Sequence, residues 1–516
     1  MKTIRLNHSL LVLAVCAAQT VSASNLVVTS PADDGSPGTL RATLAAAADG
    51  DTIDLTGITG TIALDGEQLE VDSSVTLLGP GPGQLIIDAQ QASRVFYIAP
   101  ATTVTISGLT IANGYDSVFS DAAGGGILNE LASLTLTNCV LLDNSAELGA
   151  GIFNDAGLLL FGQPGAATLT LIDCTLDGNI SENGAGGAIL NASLYTAPAS
   201  LVVQRCTLSG NSAAHGGGIF NMGNATAQIV NSTLSGNLAT SQAGGGIDNS
   251  QGGVVRLDGC TLSGNNAVNG QGGGIAVQQA TLQIRNTLLS AGTAGANLWV
   301  DPAVASTIQS FGYNLSSDDG SGWLAATGDR VNTDPLLGPL QDNGGPTATH
   351  ALLPGSPAID TGAATDIAGS PIATDQRGLA RPQGIAVDVG AFEVEQAPAQ
   401  QHQYSWSGVL QPLNSDGSSV VKAGSTVPVK FMLTGEDAGI TDLTATLSFA
   451  NVSGSGVGDL NAANTKVYGG GSQFRFDPAS GQYLFNWSTK GLAAGSYRLF
   501  IDLGDGVERS VDVTLR

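Results

Sequence analysis

Five segments of the 516-residue chain align on one column, and this repeat limits the fold more than any other feature. They read TLTNCVLLDNSA from Thr135, TLIDCTLDGNIS from Thr170, VVQRCTLSGNSA from Val202, QIVNSTLSGNLA from Gln228 and RLDGCTLSGNNA from Arg256. The aligned column holds Cys139, Cys174, Cys206, Ser232 and Cys260. An Asn follows at +5 every time, as Asn144, Asn179, Asn211, Asn237 and Asn265. A Gly-rich turn then leads to an Ile column of Ile127, Ile152, Ile189, Ile219, Ile247 and Ile275. Two positions after Ile stand Asn129, Asn154, Asn191, Asn221 and Asn249, until Val277 breaks the series. Successive Ile residues lie 25, 37, 30, 28 and 28 positions apart.

A period near 28 with short alternating apolar runs predicts stacked β-coils. Like residues then stack at the strand spacing of about 4.8 Å, so the Ile and Leu columns fill a core. Asn columns satisfy turn backbone while their amides bond along the stack. The Cys column reads as small buried hydrophobes, with free thiols preferred over disulfides between adjacent coils. Every ladder residue is therefore assigned a structural role. The predicted fold class is all-β: a right-handed parallel β-helix with an N-terminal helical cap, followed by a small Ig-like β-sandwich.

The segmentation follows from changes in pattern. Residues 1–23 read as a secretory signal, with Lys2 and Arg5 ahead of an apolar run and Val21-Ser22-Ala23 as the cleavage site, which removes Cys16. A lipoprotein box at Leu13 to Cys16 is the rival reading. The β-helix with its cap occupies 24–300, and the cap is a helix expected over Ser36 to Ala48. Residues 301–396 form the irregular C-terminal part of the β-helix, so that at the period near 28 the 373 residues from 24 to 396 hold at most about 13 coils. A linker at 397–403 precedes a sandwich domain at 404–516, whose strands are read at Val427–Phe431, Ala445–Phe449, Tyr483–Trp487, Tyr497–Leu503 and Ser510–Leu515.

Composition sharpens the partner classes. The formal charge is −25, and residues 24–396 contain 33 acids, eight Arg and no Lys, whereas 397–516 carry ten acids and eight bases. Such a field repels phosphate backbones and polyanionic glycans, so no nucleic acid is expected as a partner. No apolar run beyond the signal is long enough to span a bilayer, so no integral membrane segment is expected after its removal.

Three sets of motifs resemble known bacterial exported proteins. The Gly-Gly-Ala-Ile run at Gly186 to Ile189, with Leu208-Ser209-Gly210-Asn211, is similar to polymorphic outer-membrane protein repeats. The runs Asp334 to Leu337, Asp342 to Thr347, Leu353 to Asp360 and Asp375 to Gly378, with Asp388 to Glu393, resemble the choice-of-anchor Q domain. Pro428, Lys430 and Phe431 with Tyr483 to Trp487 resemble the PxKF domain. These resemblances imply a secreted or cell-surface protein and bring no catalytic residues with them. No sorting signal is legible at Val513 to Arg516.

A uronate lyase needs a cation and a base, and the repeats offer Arg205, Arg256 and Arg285, of which Arg256 lies near Asp258. A glycoside hydrolase needs two facing carboxylates, and Asp318-Asp319 reads as a turn instead. His215 reads as a turn residue, and His350 and His402 lack metal spacing. Asp502 to Gly506 reads as a hairpin turn rather than a calcium loop. Arg377 and Arg381 are expected to pair with Asp375 and Asp388. No catalytic, cofactor or metal residue is assigned, and the acidic turns leave weak calcium binding open. The functional expectation is a non-catalytic secreted or surface-displayed adhesin, binding scaffold or matrix component, with a surface glycan or a host or cell-surface protein as partner. The alternative is a β-helix polysaccharide hydrolase or lyase acting on a neutral glycan through the insertions near Leu158–Ala166 and Leu194–Ala199. Ice binding through Thr207, Thr233 and Thr261 is a third, remote reading.

Overall fold

A computed structural model describes residues 23–116, 123–157, 165–193, 197–268, 271–395, 402–453, 456–457, 461–462 and 472–516. The expected leader up to residue 22 and the insertions at 158–164 and 194–196 lie outside the described residues. The chain divides into two compact units, Met1–Glu395 and Gln396–Arg516.

The first unit is a parallel β-solenoid of about 10 turns. Its strands form three parallel sheets of 11, 15 and 9 strands. The first, 11-stranded sheet runs from Asn25–Val27 to Thr307–Ser310. Strand Ala167–Ile172 shows why these segments pair: its residues alternate buried and half-buried, with Leu169 and Leu171 inside. The Ile column of the third, 9-stranded sheet stands in register from Ile127 through Ile152, Ile189, Ile219 and Ile247 to Ile275.

Two turn positions explain the recurring small residues. The first Gly of each Gly-rich turn (124, 149, 186, 216, 244 and 272) has φ between 57° and 72°. A Cβ on Gly216 would also lie 2.5 Å from the Ile219 carbonyl oxygen, so conformation and space both demand Gly. The residue before the Cys column is likewise left-handed, at Asn138, Asp173, Arg205, Asn231, Gly259 and Asn286. Arg205 is the misfit in that series, and its guanidinium holds the Asp173 carboxylate of the preceding coil at 2.7 and 2.8 Å.

At the N-terminal end a seven-residue helix, α1 (Leu40–Ala46), buries Leu40 and Leu44 against the solenoid core. It is shorter than the Ser36 to Ala48 expectation. The cap is Thr39, whose hydroxyl accepts from the Ala42 amide, and the chain is already extended at Ala47.

The segment 301–396 departs from its sequence reading. The last coil strands are Thr307–Ser310 and Leu315–Ser316. The chain beyond makes an antiparallel hairpin, Leu337–Gln341 with Thr349–Leu352, and folds back over the outer face of the second, 15-stranded sheet. Gln376 is the hub of this contact. Its amide oxygen accepts from Thr233 Oγ1 at 2.7 Å, and its Nε2 reaches Thr207 Oγ1 and Thr347 Oγ1, both at 2.9 Å. Thr261 Oγ1 accepts from the Ala391 amide at 2.9 Å. The outward column Thr207, Thr233, Thr261, Leu288 is thus covered, and Leu288 and Leu315 pack with Leu352, Val389 and Phe392. A covered column cannot meet ice, which overturns the ice-binding reading. The back-folded length adds no coils, which is why the count stays below 13.

The second unit has a six-stranded sheet and a three-stranded sheet around one core of Phe431, Tyr483, Phe485 and Trp487. Strands Thr426–Phe431, Gln482–Ser488 and Gly495–Asp502 alternate buried apolar residues with half-buried or exposed ones. Among the described residues no helix is long and apolar enough to cross a membrane.

Candidate functional site

The ladder residues lie inside the coil stack. In one ladder, Asn144, Asn179, Asn211 and Asn237 each donate Nδ2 to the next Oδ1 at 2.9 Å, ending on Asn265. In the other, Asn129, Asn154 and Asn191 donate at 2.7 Å and Asn221 at 2.9 Å, ending on Asn249, whose Nδ2 turns to the Thr281 carbonyl. Cys139, Cys174, Cys206 and Cys260 are free and buried in the core. The Cys174 thiol and burial push Cys139 well up, burial and the Cys206 thiol push Cys174 well up, and burial pushes Cys260 up to about 12. Such thiols are poor nucleophiles.

The isolated candidates have structural partners. Asp318 accepts from the Asn297 and Gly320 amides and the Ser316 hydroxyl, and Asp319 accepts from the Ser321 amide. His350 faces the Gly338 carbonyl through Nδ1 and Ser235 Oγ through Nε2, and burial lowers its pKa. His402 pairs with Asp437. In the Asp502–Gly506 turn, the Arg509 guanidinium holds both Asp505 oxygens at 2.7 Å and lowers that carboxyl to about 2. Arg256 donates to Gln283 rather than to Asp258, whose carboxylate takes the Ile367 amide instead.

The expected arginine pairing is half right. Arg377 grips Asp375 at 2.8 Å and lies 3.7 Å over the Phe392 ring. Arg381 donates to the Asp388 and Gly390 carbonyls rather than to the Asp388 carboxylate, and it lies 3.6 Å from the Glu393 carboxylate. These groups sit on the back-folded segment, not on a coil end.

What the sequence reading missed is the outer face of the third sheet. Each coil turns two side chains outward there, one and three positions after its Ile. The first row reads Leu128, Phe153, Leu190, Phe220, Asp248, Ala276 and the second Glu130, Asp155, Ala192, Met222, Ser250, Gln278. Stacking places Glu130 directly beside Asp155, two carboxylates that are 25 apart in sequence. Tyr97 donates its hydroxyl to Glu130, and burial with that carboxylate raises the phenol's pKa. Leu128, Phe153, Leu190 and Phe220 form a buried apolar layer in the middle of the face.

Cavities flank this layer. A cavity of about 900 Å³ lies at the N-terminal end, lined by Arg41, Glu67, Glu70, Asp72, Arg94 and Asp116 among others. Arg41 is held by Asp33 and by the Gln68 and Glu67 carbonyls, and Arg94 by Asp116 and Gln68. The exposed carboxylates of Glu67, Glu70 and Asp72 therefore set its character. A smaller cavity of about 230 Å³ lies toward the other end, around His215, Phe220 and Asp248. Among the described residues no group of three or more His, Cys, Asp and Glu is placed to hold a metal ion. Comparisons with protein families, with curated proteins and with solved structures return no match for this chain.

Proposed function

We propose that this chain is an exported, non-catalytic display scaffold, secreted or held at the cell surface, that binds a surface glycan or a cell-surface protein as an adhesin or matrix component. In this reading the solenoid is right-handed, α1 caps its N-terminal end and the second unit is an Ig-like module, as the choice-of-anchor Q and PxKF motifs imply. One observation carries it. The polar residues that repeat are used up inside the stack, while two cavities beside the third sheet are lined by acidic groups, Glu67, Glu70 and Asp72 at one and Asp248 and Asp301 at the other. A hydroxyl-rich or basic partner suits such a face, and a polyanion does not. The test is retention of the purified chain on a panel of immobilised neutral and acidic glycans, with and without calcium, beside a cell-adhesion assay. Binding to neutral glycans or cells supports the proposal; no retention in either assay overturns it.

The Glu130–Asp155 juxtaposition favours the second reading, a glycoside hydrolase on a neutral glycan. Both residues are buried, 6% and 0% exposed, which keeps that reading second. Release of reducing sugar that is lost in Glu130→Gln would reverse the order.

A further inference from the structure

We propose that the cavity around His215 and Asp248 is a subsite for one neutral sugar residue. The ligand class rests on the surface-binding reading above; the site itself is built from four coils. Phe220 and Asp248 are neighbours in the first outward row, and Ser250 and Gln278 are neighbours in the second. His215 closes the strand Ser212–His215 on the adjoining sheet edge. Its ring stacks on Phe220 with centroids 5.5 Å apart and planes 24° off parallel. Phe220 is buried and the His215 side chain is 36% exposed, so the imidazole is the ring face the cavity presents.

Asp248 is held for accepting hydrogen bonds. Its Oδ2 lies 3.3 Å from His215 Nδ1, and Gln278 Nε2 donates to its two oxygens at 3.0 and 3.3 Å. The carboxyl is buried, which raises its pKa, and its oxygens keep acceptor capacity beyond these contacts. Its neighbours in the row are Phe220 and Ala276, which offer it no hydrogen bond.

Ser250 supplies the independent sign. It is 6% exposed, lines the cavity, and its hydroxyl has no hydrogen-bond partner. A buried hydroxyl left unpaired is costly, and the same row tolerates Ala192 and Met222 in the coils before it. The fold therefore has no need of Ser there, whereas a ligand hydroxyl would satisfy it. Asp301 and Val304 line the same cavity, adding a further acceptor and an apolar wall. The volume of about 230 Å³ equals that of seven or eight liquid waters at about 30 Å³ each, which suits one ring rather than a chain of them. Carboxylate acceptors, a lone hydroxyl and a flat ring face are the groups that recognise a sugar's hydroxyls and its apolar C–H face.

The experiment uses the whole chain and the methyl glycosides of glucose, galactose, mannose and N-acetylglucosamine, read by saturation-transfer NMR and calorimetry. Two variants report on the site: Ser250→Ala, which removes only the hydroxyl, and His215→Ala, which removes the exposed ring. Circular dichroism confirms that each is folded. The expected result is binding of at least one glycoside, weakened tenfold or more in both variants. Binding that neither variant weakens overturns the subsite and leaves the surface-binding reading standing. Failure of every glycoside to bind a wild-type chain that still adheres to cells also overturns the subsite alone. Failure of both binding and adhesion overturns the two together.

Discussion

Asn211 sits in the middle of the inner amide ladder, and replacing it by Ala tests whether the ladder stabilises the solenoid. Its Oδ1 accepts from the Asn179 amide at 3.0 Å and from Asn179 Nδ2 at 2.9 Å, and its Nδ2 donates to the Leu176 carbonyl and to Asn237 Oδ1, both at 2.9 Å. Four buried hydrogen bonds are lost at about 1 kcal/mol each, and the Asn179 backbone N–H loses this acceptor inside the core. The expected cost is about 4–6 kcal/mol. Asn265 ends the ladder, with two acceptances from Asn237 and one donation to the Leu234 carbonyl, so Asn265→Ala should cost about 3 kcal/mol. Asn211→Asp keeps the acceptor and aims a second oxygen at two others. Its folded pKa must rise, so its stability falls as pH climbs from the unfolded value toward the folded one. Urea unfolding followed by circular dichroism gives the totals. Hydrogen exchange should localise the change to the coils on either side, because a solenoid couples nearest neighbours. A cost for Asn211→Ala of 1 kcal/mol or less, or one smaller than that for Asn265→Ala, would refute the ladder argument.

Three further outcomes follow from single contacts. Gln376→Ala removes the buried hub of the back-folded segment and should cost about 2–3 kcal/mol locally; limited proteolysis within 363–369 should then speed up tenfold or more, and an unchanged rate would show that Gln376 does not fasten it. Burial pushes the Asp258 carboxyl up to about 7 from an ordinary 3.8, so its neutral form fits the fold and stability declines as pH rises between those values. Asp258→Asn should thus be nearly neutral at pH 4 and stabilising at pH 8, by at most about 4 kcal/mol at 1.4 kcal/mol per pH unit, as read from urea midpoints. The four solenoid thiols, all buried in the core, should resist a thiol reagent at pH 8 until the chain unfolds; rapid labelling of the native protein would contradict the packing.

The parts of this fold legible in the sequence are those that repeat. Ile127, Ile152 and Ile189 align by eye because each coil places the same residue at the same inward position, and their ladder register follows the alignment across gaps of 25 and 37. What could not be read are contacts made once. Gln376 finds Thr207 across 169 residues, and no period connects them. The outer face of the third sheet is an intermediate case. Glu130 and Asp155 stand 25 residues apart, so adjacency along the chain, as at Asp318-Asp319, does not reveal them. In a parallel solenoid the neighbour of a residue is the one a full coil away, so the aligned column is the unit in which a site must be sought. The same rule bears on the back-folded segment. The column Thr207, Thr233, Thr261, Leu288, Leu315 points outward, yet it turns from hydroxyl to aliphatic side chains. Outward aliphatic side chains in register form a continuous apolar strip, and a strip of that kind on a soluble face calls for a cover. The turn-rich text from Asp334 to Glu393, expected to continue the β-helix, supplies that cover instead. The Thr-to-Leu switch in the column is thus the sequence signal that marks where a cover must lie.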